Sequence, residues 1–354
     1  MPKYKLIQIN TTDEIKSYRE AILGLWKRNL PKLSKDCFDW VYKDNPYGAA
    51  KTILAQCVTT GEYVGCAGVY PRMFSLGGKP VRAGVLINFA VDQEHRVFGP
   101  AMMMQKEILN AYLSKNFDFI LGYPNKGSEG VFRRLGYSFI GEGNYWLKIL
   151  DWSEKIDNVL RVKIAAVVLG ACFDWLCKLF EKFQRIRISS QYTTKNLSEL
   201  PQDIDALWTR SRKYHFAIGI RNEKYLRWRY QGTENVIFNF FSLYNKGNEL
   251  CAYIVYQQDT GRITILDIFS DDPVKSRYVL ALFVDEMRRL KNKLIVMVYV
   301  GENSLKQILK QQCFMRRRDK RALLVSLGNA FTDREKTNLS LLRSWHMSDG
   351  ELDL

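Results

Sequence analysis

The residues best suited to chemistry in this 354-residue chain run from Val91 to Ala101: Val91-Asp92-Gln93-Glu94-His95-Arg96-Val97-Phe98-Gly99-Pro100-Ala101. An apolar run ends at Val91, Arg96 and Gly99 occupy a short loop, and Pro100 suits the first position of a helix. The start of a helix leaves backbone N–H groups unpaired and carries the positive end of the helix dipole, and together these hold phosphate. Gly99 lets a ligand come close to the backbone. The spacing therefore predicts a phosphate-binding helix start at this loop. Taken alone, Arg-x-x-Gly-x-Ala is a weak signal, because many strand-to-helix turns contain it.

A second block follows at Asn125-Lys126-Gly127-Ser128-Glu129-Gly130-Val131-Phe132-Arg133-Arg134-Leu135-Gly136-Tyr137. The two blocks together resemble the GNAT acyltransferase superfamily. Its pyrophosphate loop reads Arg or Gln, two residues, Gly, one residue, Gly or Ala, and Arg96, Gly99 and Ala101 match it. Val91 falls where the preceding strand normally ends. The family's later block is matched by Asn125, Ser128, Arg134, Leu135, Gly136 and Tyr137, and the resemblance covers about residues 50–145. It implies that acetyl-CoA or another acyl-CoA is a cosubstrate. The backbone of Val97, Phe98, Gly99 and Ala101 would hold its pyrophosphate with Arg96 beside it, and its pantetheine arm would lie along the edge of the strand Leu86–Val91 and bond to Asn125, with Ser128 and Phe132 nearby. An amine would attack the thioester directly, with no metal and no acyl group carried by the protein.

Two departures bear on catalysis. Phe132 stands where the family often has a tyrosine that protonates the leaving thiolate, and Pro100 removes one amide from the cradle. No general base stands out. Tyr123 and Asp92 are the catalytic nominees, against the plainer reading of Asp92 and Glu94 as solvated loop charges and of His95 as a surface or packing residue.

These residues need strands and helices to hold them. Strands are expected at Tyr63–Tyr70, Val81–Val91 and Phe117–Tyr123, and helices at Ala101–Lys115 and around Ser128–Leu135. The order predicts a mixed α/β (α+β) fold. A weak repeat then appears. Trp40-Val41-Tyr42 is echoed by Trp228-Arg229-Tyr230, the stretch from Gly61 by that from Gly247, and Asn125 by Asn303. Their shared order predicts tandem GNAT-like domains, each a mixed, mostly antiparallel twisted sheet flanked by helices. The expected division is 1–150 for the acyl-CoA-binding domain, 151–190 for a helical linker, 191–330 for a degenerate copy and 331–354 for a C-terminal tail. The loop Ser270–Ser276 of the second copy has no glycine and carries two carboxylates, so no CoA is expected there. That copy is expected to build the acceptor pocket instead. The acidic tail from Trp345 either caps a basic surface or is loose.

Composition narrows the class. With 47% hydrophobic and 25% charged residues, the chain is globular rather than disordered. Seven cysteines without a CxxC pair, and three histidines without ligand spacing, predict free thiols in a reducing cytoplasm and no zinc site. The polar N-terminus lacks the apolar core of a signal peptide, and the run Ile164–Phe173 is too short to span a bilayer. The amphipathic stretch Ile156–Arg185 is expected to pack between domains, with peripheral contact at the inner membrane as the alternative. A net charge of +16 fits a phosphate-bearing partner, and no nucleic-acid-binding motif accompanies it. By analogy with bacterial polysaccharide-locus proteins, the expected acceptor is a small-molecule amine, in particular a nucleotide- or lipid-linked amino sugar. The competing readings are a FemABX-like aminoacyl transferase and a non-catalytic GNAT-derived binding protein.

Overall fold

Period-two burial makes the first strands. In β2 (Lys51–Cys57), Ile53 and Ala55 face one apolar core and Leu54 faces another, so both sides of the sheet are covered. The computed structural model describes residues 3–31, 33–96, 99–151, 188, 190–232 and 236–351. Before β2 come β1 (Tyr4–Ile9) and the helices α1 (Thr12–Ser17), α2 (Arg19–Asn29) and α3 (Cys37–Tyr42). After it, β3 (Tyr63–Leu76) and β4 (Lys79–Val91) form a long hairpin. Gly77 and Gly78 close it with φ of 56° and 88°, a left-handed pair that suits glycine and matches the strand twist. Then follow α4 (Pro100–Tyr112), β5 (Phe119–Gly122), α5 (Glu129–Arg134) and β6 (Ser138–Ile149). Helix α2 buries Ile22, Leu25 and Trp26 in one core, and α4 buries Met104, Ile108 and Tyr112 in the other.

The second half repeats this plan with β7 (Tyr192–Leu197), α6 (Ile204–Ser211), β8 (Ala217–Gly219), α7 (Glu223–Gln231), β9 (Asn239–Asn245), β10 (Leu250–Asp259) and β11 (Arg262–Ser270). It continues through α8 (Pro273–Arg289), β12 (Leu294–Gly301), α9 (Asn303–Gln311), β13 (Met315–Leu327), α10 (Asp333–Leu339) and β14 (Trp345–Ser348). The helical linker expected over 151–190 lies almost wholly outside the described residues. Among the described residues no helix is long and apolar enough to cross a membrane. The described cysteines, Cys37, Cys57, Cys66, Cys251 and Cys313, are free thiols.

The strands join into one sheet in the order β1-β2-β3-β4-β5-β13-β6-β12-β11-β10-β9-β7. Among the described strands, β4/β5, β11/β12 and β14/β8 are the parallel pairs. The two sequence halves do not stay apart in space. Strand β13, from the end of the chain, lies between β5 and β6, pairing Leu324 with Gly122 and Arg321 with Gly143. Strand β6, from the first half, lies between β13 and β12, pairing Leu294 with Ile149. Each half therefore lends a long strand to the other.

The tryptophan echo marks where the halves meet. Trp40 Nε1 donates to the carbonyl of Trp228 at 2.7 Å, and Trp228 Nε1 donates to the carbonyl of Trp40 at 3.0 Å. Their rings stack at 5.2 Å. A reciprocal pair of this kind is what two copies of one motif make across a pseudo-two-fold axis. All four motif aromatics, Trp40, Tyr42, Trp228 and Tyr230, are buried core residues.

The C-terminal segment is not loose. Trp345 and Met347 are fully buried, and β14 pairs with β12 and β8 while β8 pairs with β3. Glu351 then joins a buried charge network. Arg221 donates to both carboxylate oxygens of Asp267, at 2.9 and 3.0 Å, and to Glu351 Oε2 at 3.2 Å. Arg72 reaches Glu351 Oε1 at 3.4 Å and stacks over the Tyr225 ring at 3.3 Å. Burial disfavours the Arg221 cation, but Asp267 and Glu351 outweigh it, so the guanidinium holds its proton more tightly than usual.

Candidate functional site

Strands β4 and β5 run together and then part. Their parallel pairing covers Ala83/Phe119, Gly84/Ile120 and Val85/Leu121 and goes no further, although β4 continues to Val91. Among the described residues no strand pairs with Leu86–Val91 on the β5 side. On the other side, the register against β3 slips between Cys66/Ala90 and Gly68/Ile87, so Asn88 and Phe89 together face Ala67. This is a β-bulge, and Asn88 takes φ of 51° within it. Asn88 Nδ2 donates to the buried hydroxyl of Tyr42 at 3.3 Å, and the Cys66 thiol donates to the Asn88 carbonyl at 3.4 Å. Burial pushes the Cys66 thiol up to about 12, which makes it a protonated core group rather than a nucleophile.

The loop after β4 is held from α2. Asp92 accepts from Arg28 at 3.0 and 2.9 Å and from Asn29 at 2.6 Å. Arg96 turns back, donating to the Val91 carbonyl at 2.9 Å and to Asn29 Oδ1 at 3.1 Å. His95 Nδ1 lies 2.9 Å from the Tyr4 hydroxyl. The sequence-expected cradle residues Val97 and Phe98 lie outside the described residues. Gly99 caps α4 and Pro100 opens it, and the Met103 N–H donates to the Gly99 carbonyl at 3.2 Å in the first turn. The amides of Ala101 and Met102 lie ahead of that bond, where a helix leaves donors for an anion. The need for glycine at 99 has a local cause that the sequence did not announce: a Cβ there would come within 2.7 Å of the Tyr4 ring. A cavity of about 690 Å³ opens on the β3 side of this loop, between Gln93–Arg96 and α2 residues such as Gly24 and Arg28.

The second block is also placed. Asn125 Oδ1 accepts from the amides of Gly127 at 2.9 Å and Ser128 at 3.0 Å, and from the Ser128 hydroxyl at 3.2 Å. The asparagine thus shapes the turn into α5, and its amide Nδ2 has no partner among the described residues. Phe132 is buried, edge-on to Phe89 at 5.7 Å and to Tyr137 at 5.2 Å, so it packs α5 onto β4.

Of the two catalytic nominees, Tyr123 lies just past the end of β5, buried, with its hydroxyl 3.0 Å from Met347 Sδ of β14. Asp92 is committed to α2. Burial raises its pKa, but the hydrogen bonds from Arg28 and Asn29 and the charge of Arg28 outweigh that, and the net shift is downward. A carboxylate shifted in this direction is a weaker proton acceptor than usual. Stability that depends on it is present above the ordinary carboxylate pKa and is lost as the pH falls through the lower native value. Asp92→Asn is therefore expected to cost up to about 1 kcal/mol at neutral pH, the range of half-exposed pairs. The difference from wild type should vanish in strong acid. Urea unfolding at several pH values reads this, and a difference that grows in acid would contradict it.

Sequence reasoning missed Arg28, Asn29, Tyr4 and Tyr42, which lie far from the loop in sequence. It also missed the bulge, whose one visible sign is a polar residue inside the run Val85-Leu86-Ile87-Asn88-Phe89-Ala90-Val91.

The second half has the matching features in a different state. Pairing of β11 with β12 stops at Ile265/Met297, and a bulge follows where Val255 faces Asp267 and Tyr256 faces Ile265. Here the gap between the strands is taken by the chain itself. β14 pairs with Tyr299–Gly301, His346 Nε2 lies 3.2 Å from the Ile268 carbonyl, and Ser348 donates to Asp267 at 2.8 Å.

Residues 12–140 match the family described as acetyltransferase (GNAT) domain. Comparison with curated proteins finds no significant match. Among solved structures, a probable N-acyltransferase from Enterococcus faecalis is similar with a TM-score of 0.65 at 11% identity, over 92% of this chain and 72% of that one. A GCN5-related N-acetyltransferase from Anabaena variabilis has a TM-score of 0.63 at 11% identity, over 91% of this chain and 73% of the other. Saccharomyces cerevisiae N-myristoyltransferase with bound myristoyl-CoA has a TM-score of 0.58 at 13% identity, over 92% and 83%. At such identities the likeness concerns the fold, and it extends through both halves. Residues 12–140 thus match a GNAT acetyltransferase domain, and the fold along both halves is like that of these solved acyltransferases.

Proposed function

We propose that the chain is an acyl-CoA-dependent N-acyltransferase that uses the gap between β4 and β5 of its first half. The observation that carries the reading is the parting of these strands after Val85/Leu121, next to a bulge at Asn88 and a helix start at Gly99. An unpaired strand edge bonds an extended arm, as in β-strand addition. The backbone of Leu86–Val91 would hold the pantetheine, Asn125 Nδ2 would donate to it, and the amides of Ala101 and Met102 would hold the pyrophosphate. Supporting the asymmetry of the reading, the equivalent gap of the second half is filled by β14.

The amine attacks the thioester carbonyl carbon, the carbon–sulfur bond breaks and an amide forms. The proton shed by the amine leaves to water or a base, and the departing thiolate takes up another. Phe132 cannot supply that proton, and we assign its delivery to the Tyr123 hydroxyl at the end of β5. Asp92, tied to Arg28, fixes the loop to α2 rather than serving as the base. The acceptor we propose is a small amine, in particular an amino sugar of a surface polysaccharide precursor linked to a nucleotide or lipid phosphate, whose phosphates suit a basic protein. The free thiols among the described cysteines support a cytoplasmic setting.

Calorimetric titration with acetyl-CoA tests the reading. Micromolar binding is expected, and Ala101→Glu should abolish it while keeping the fold. An acidic residue in the first turn favours the helix dipole. Held about 5 Å from a phosphate charge at an effective dielectric of about 20, it costs binding about 3 kcal/mol, roughly a hundredfold or more. A folded wild-type chain that binds tRNA but no acyl-CoA, or neither, would overturn the proposal.

A further inference from the structure

Three side chains from distant parts of the sequence converge beside the second gap. His215 precedes β8, Glu302 follows β12 and His346 lies in β14. One ligand-type atom of each lies within 4.8 Å of the others. We infer that His215, Glu302 and His346 form a binding site for a divalent transition-metal ion of the zinc class, with water completing the coordination.

The chemistry of the set favours this class of ion. Two imidazoles and one carboxylate suit zinc and its neighbours over magnesium or calcium, which prefer oxygen alone. The ring centroids of His215 and His346 are 4.4 Å apart with planes at 47°. Two imidazoles on one tetrahedral zinc, with Zn–N of about 2.0–2.1 Å, have centroids roughly 5 Å apart. The ligand atoms around such an ion are separated by about 3.3 Å, so the site closes by small rotations. His215 and Glu302 can make them, because their side chains are 12% and 19% exposed. In the structure a hydrogen bond of 2.7 Å already joins His215 Nδ1 to Glu302 Oε1, and metal binding would replace its proton.

The surroundings are built in the manner of a metal centre. The second nitrogen of a metal-bound histidine usually donates to a carbonyl or carboxylate, which fixes the ring. His346 Nε2 sits 3.2 Å from the Ile268 carbonyl, which leaves Nδ1 as the ligand atom, and the Tyr299 hydroxyl, 3.2 Å from Nδ1, would turn away to admit the ion. Glu302 is itself held by the Ser304 hydroxyl at 3.2 Å. The nearby Arg221 is already neutralised by Asp267 and Glu351. An ion here would pin β8, β12 and β14 to one another, and it is independent of whether the first gap takes acyl-CoA.

Titrating the untagged full-length chain with Co²⁺ tests the site. One equivalent should give the visible absorption of a tetrahedral or five-coordinate cobalt, and Zn²⁺ should bleach it and raise the melting temperature. His215→Ala and Glu302→Gln, both at partly exposed positions, should each lower affinity about a hundredfold while circular dichroism stays native. His95→Ala, which removes the third histidine of the chain, should bind as wild type. A folded chain that shows no cobalt bands, or bands that persist in both His215→Ala and Glu302→Gln, would overturn the site.

Discussion

Trp228→Ala is expected to lower the unfolding free energy by about 3–5 kcal/mol, the cost of truncating a buried large aromatic. Two terms contribute. The indole leaves a hole against Trp40, Tyr70 and Tyr225, whose rings lie 5.2, 6.1 and 5.6 Å away. The carbonyl of Trp40 also loses its donor. Trp228→Phe fills most of the hole and loses mainly the hydrogen bond, so its cost should fall to about 1–3 kcal/mol. Each indole donates to a backbone carbonyl that phenylalanine keeps, so the two bonds are lost independently, but the rings also stack, and through that shared contact the double variant Trp40→Phe, Trp228→Phe should depart from the sum of the single losses by about 0.5–3 kcal/mol. Denaturant unfolding measures all three. A loss under about 1 kcal/mol for Trp228→Ala would show that the halves are held together elsewhere.

Arg221→Met should be nearly as damaging, at about 3–5 kcal/mol near neutral pH. The guanidinium is the cation that faces both Asp267 and Glu351, and all three are buried. Removing it leaves two carboxylates in a poorly solvated place, where the hydroxyls of Tyr253 and Ser348, the amides of Ile268 and Ser348, and Arg72 are the partners left to them among the described residues. The loss should shrink when Asp267→Asn is combined with Arg221→Met, because one unpaired charge is then gone. Thermal and urea unfolding read the effect. A penalty in Arg221→Met that is unchanged by Asp267→Asn would mean that the network's charge is not what destabilises the variant.

The fold was legible where the cause is local. The strand ending at Val91 and the helix opened by Pro100 follow from apolar patterning and backbone conformation, which neighbouring residues decide. The repeat was legible because Trp40 and Trp228 do the same job twice. What escaped depends on residues distant in sequence. Nothing near Gly99 announces that Tyr4 packs on it, and nothing near Asp92 announces Arg28. The tail from Trp345 is acidic and short, with no flanking signal that it would lie in the sheet and send Glu351 to two buried arginines. The crossing of β6 and β13 between halves is a matter of topology, to which the period of a strand is blind.

That crossing sets an order on folding during synthesis. When residues up to Gly122 have left the ribosome, the edge of β5 still has no neighbour, because its partner in β13 is among the last strands made. The nascent first half must keep that edge from other chains while most of the protein is translated, and contacts so far apart in the chain close slowly. A chain interrupted late would therefore leave its front end unfinished as well as its back.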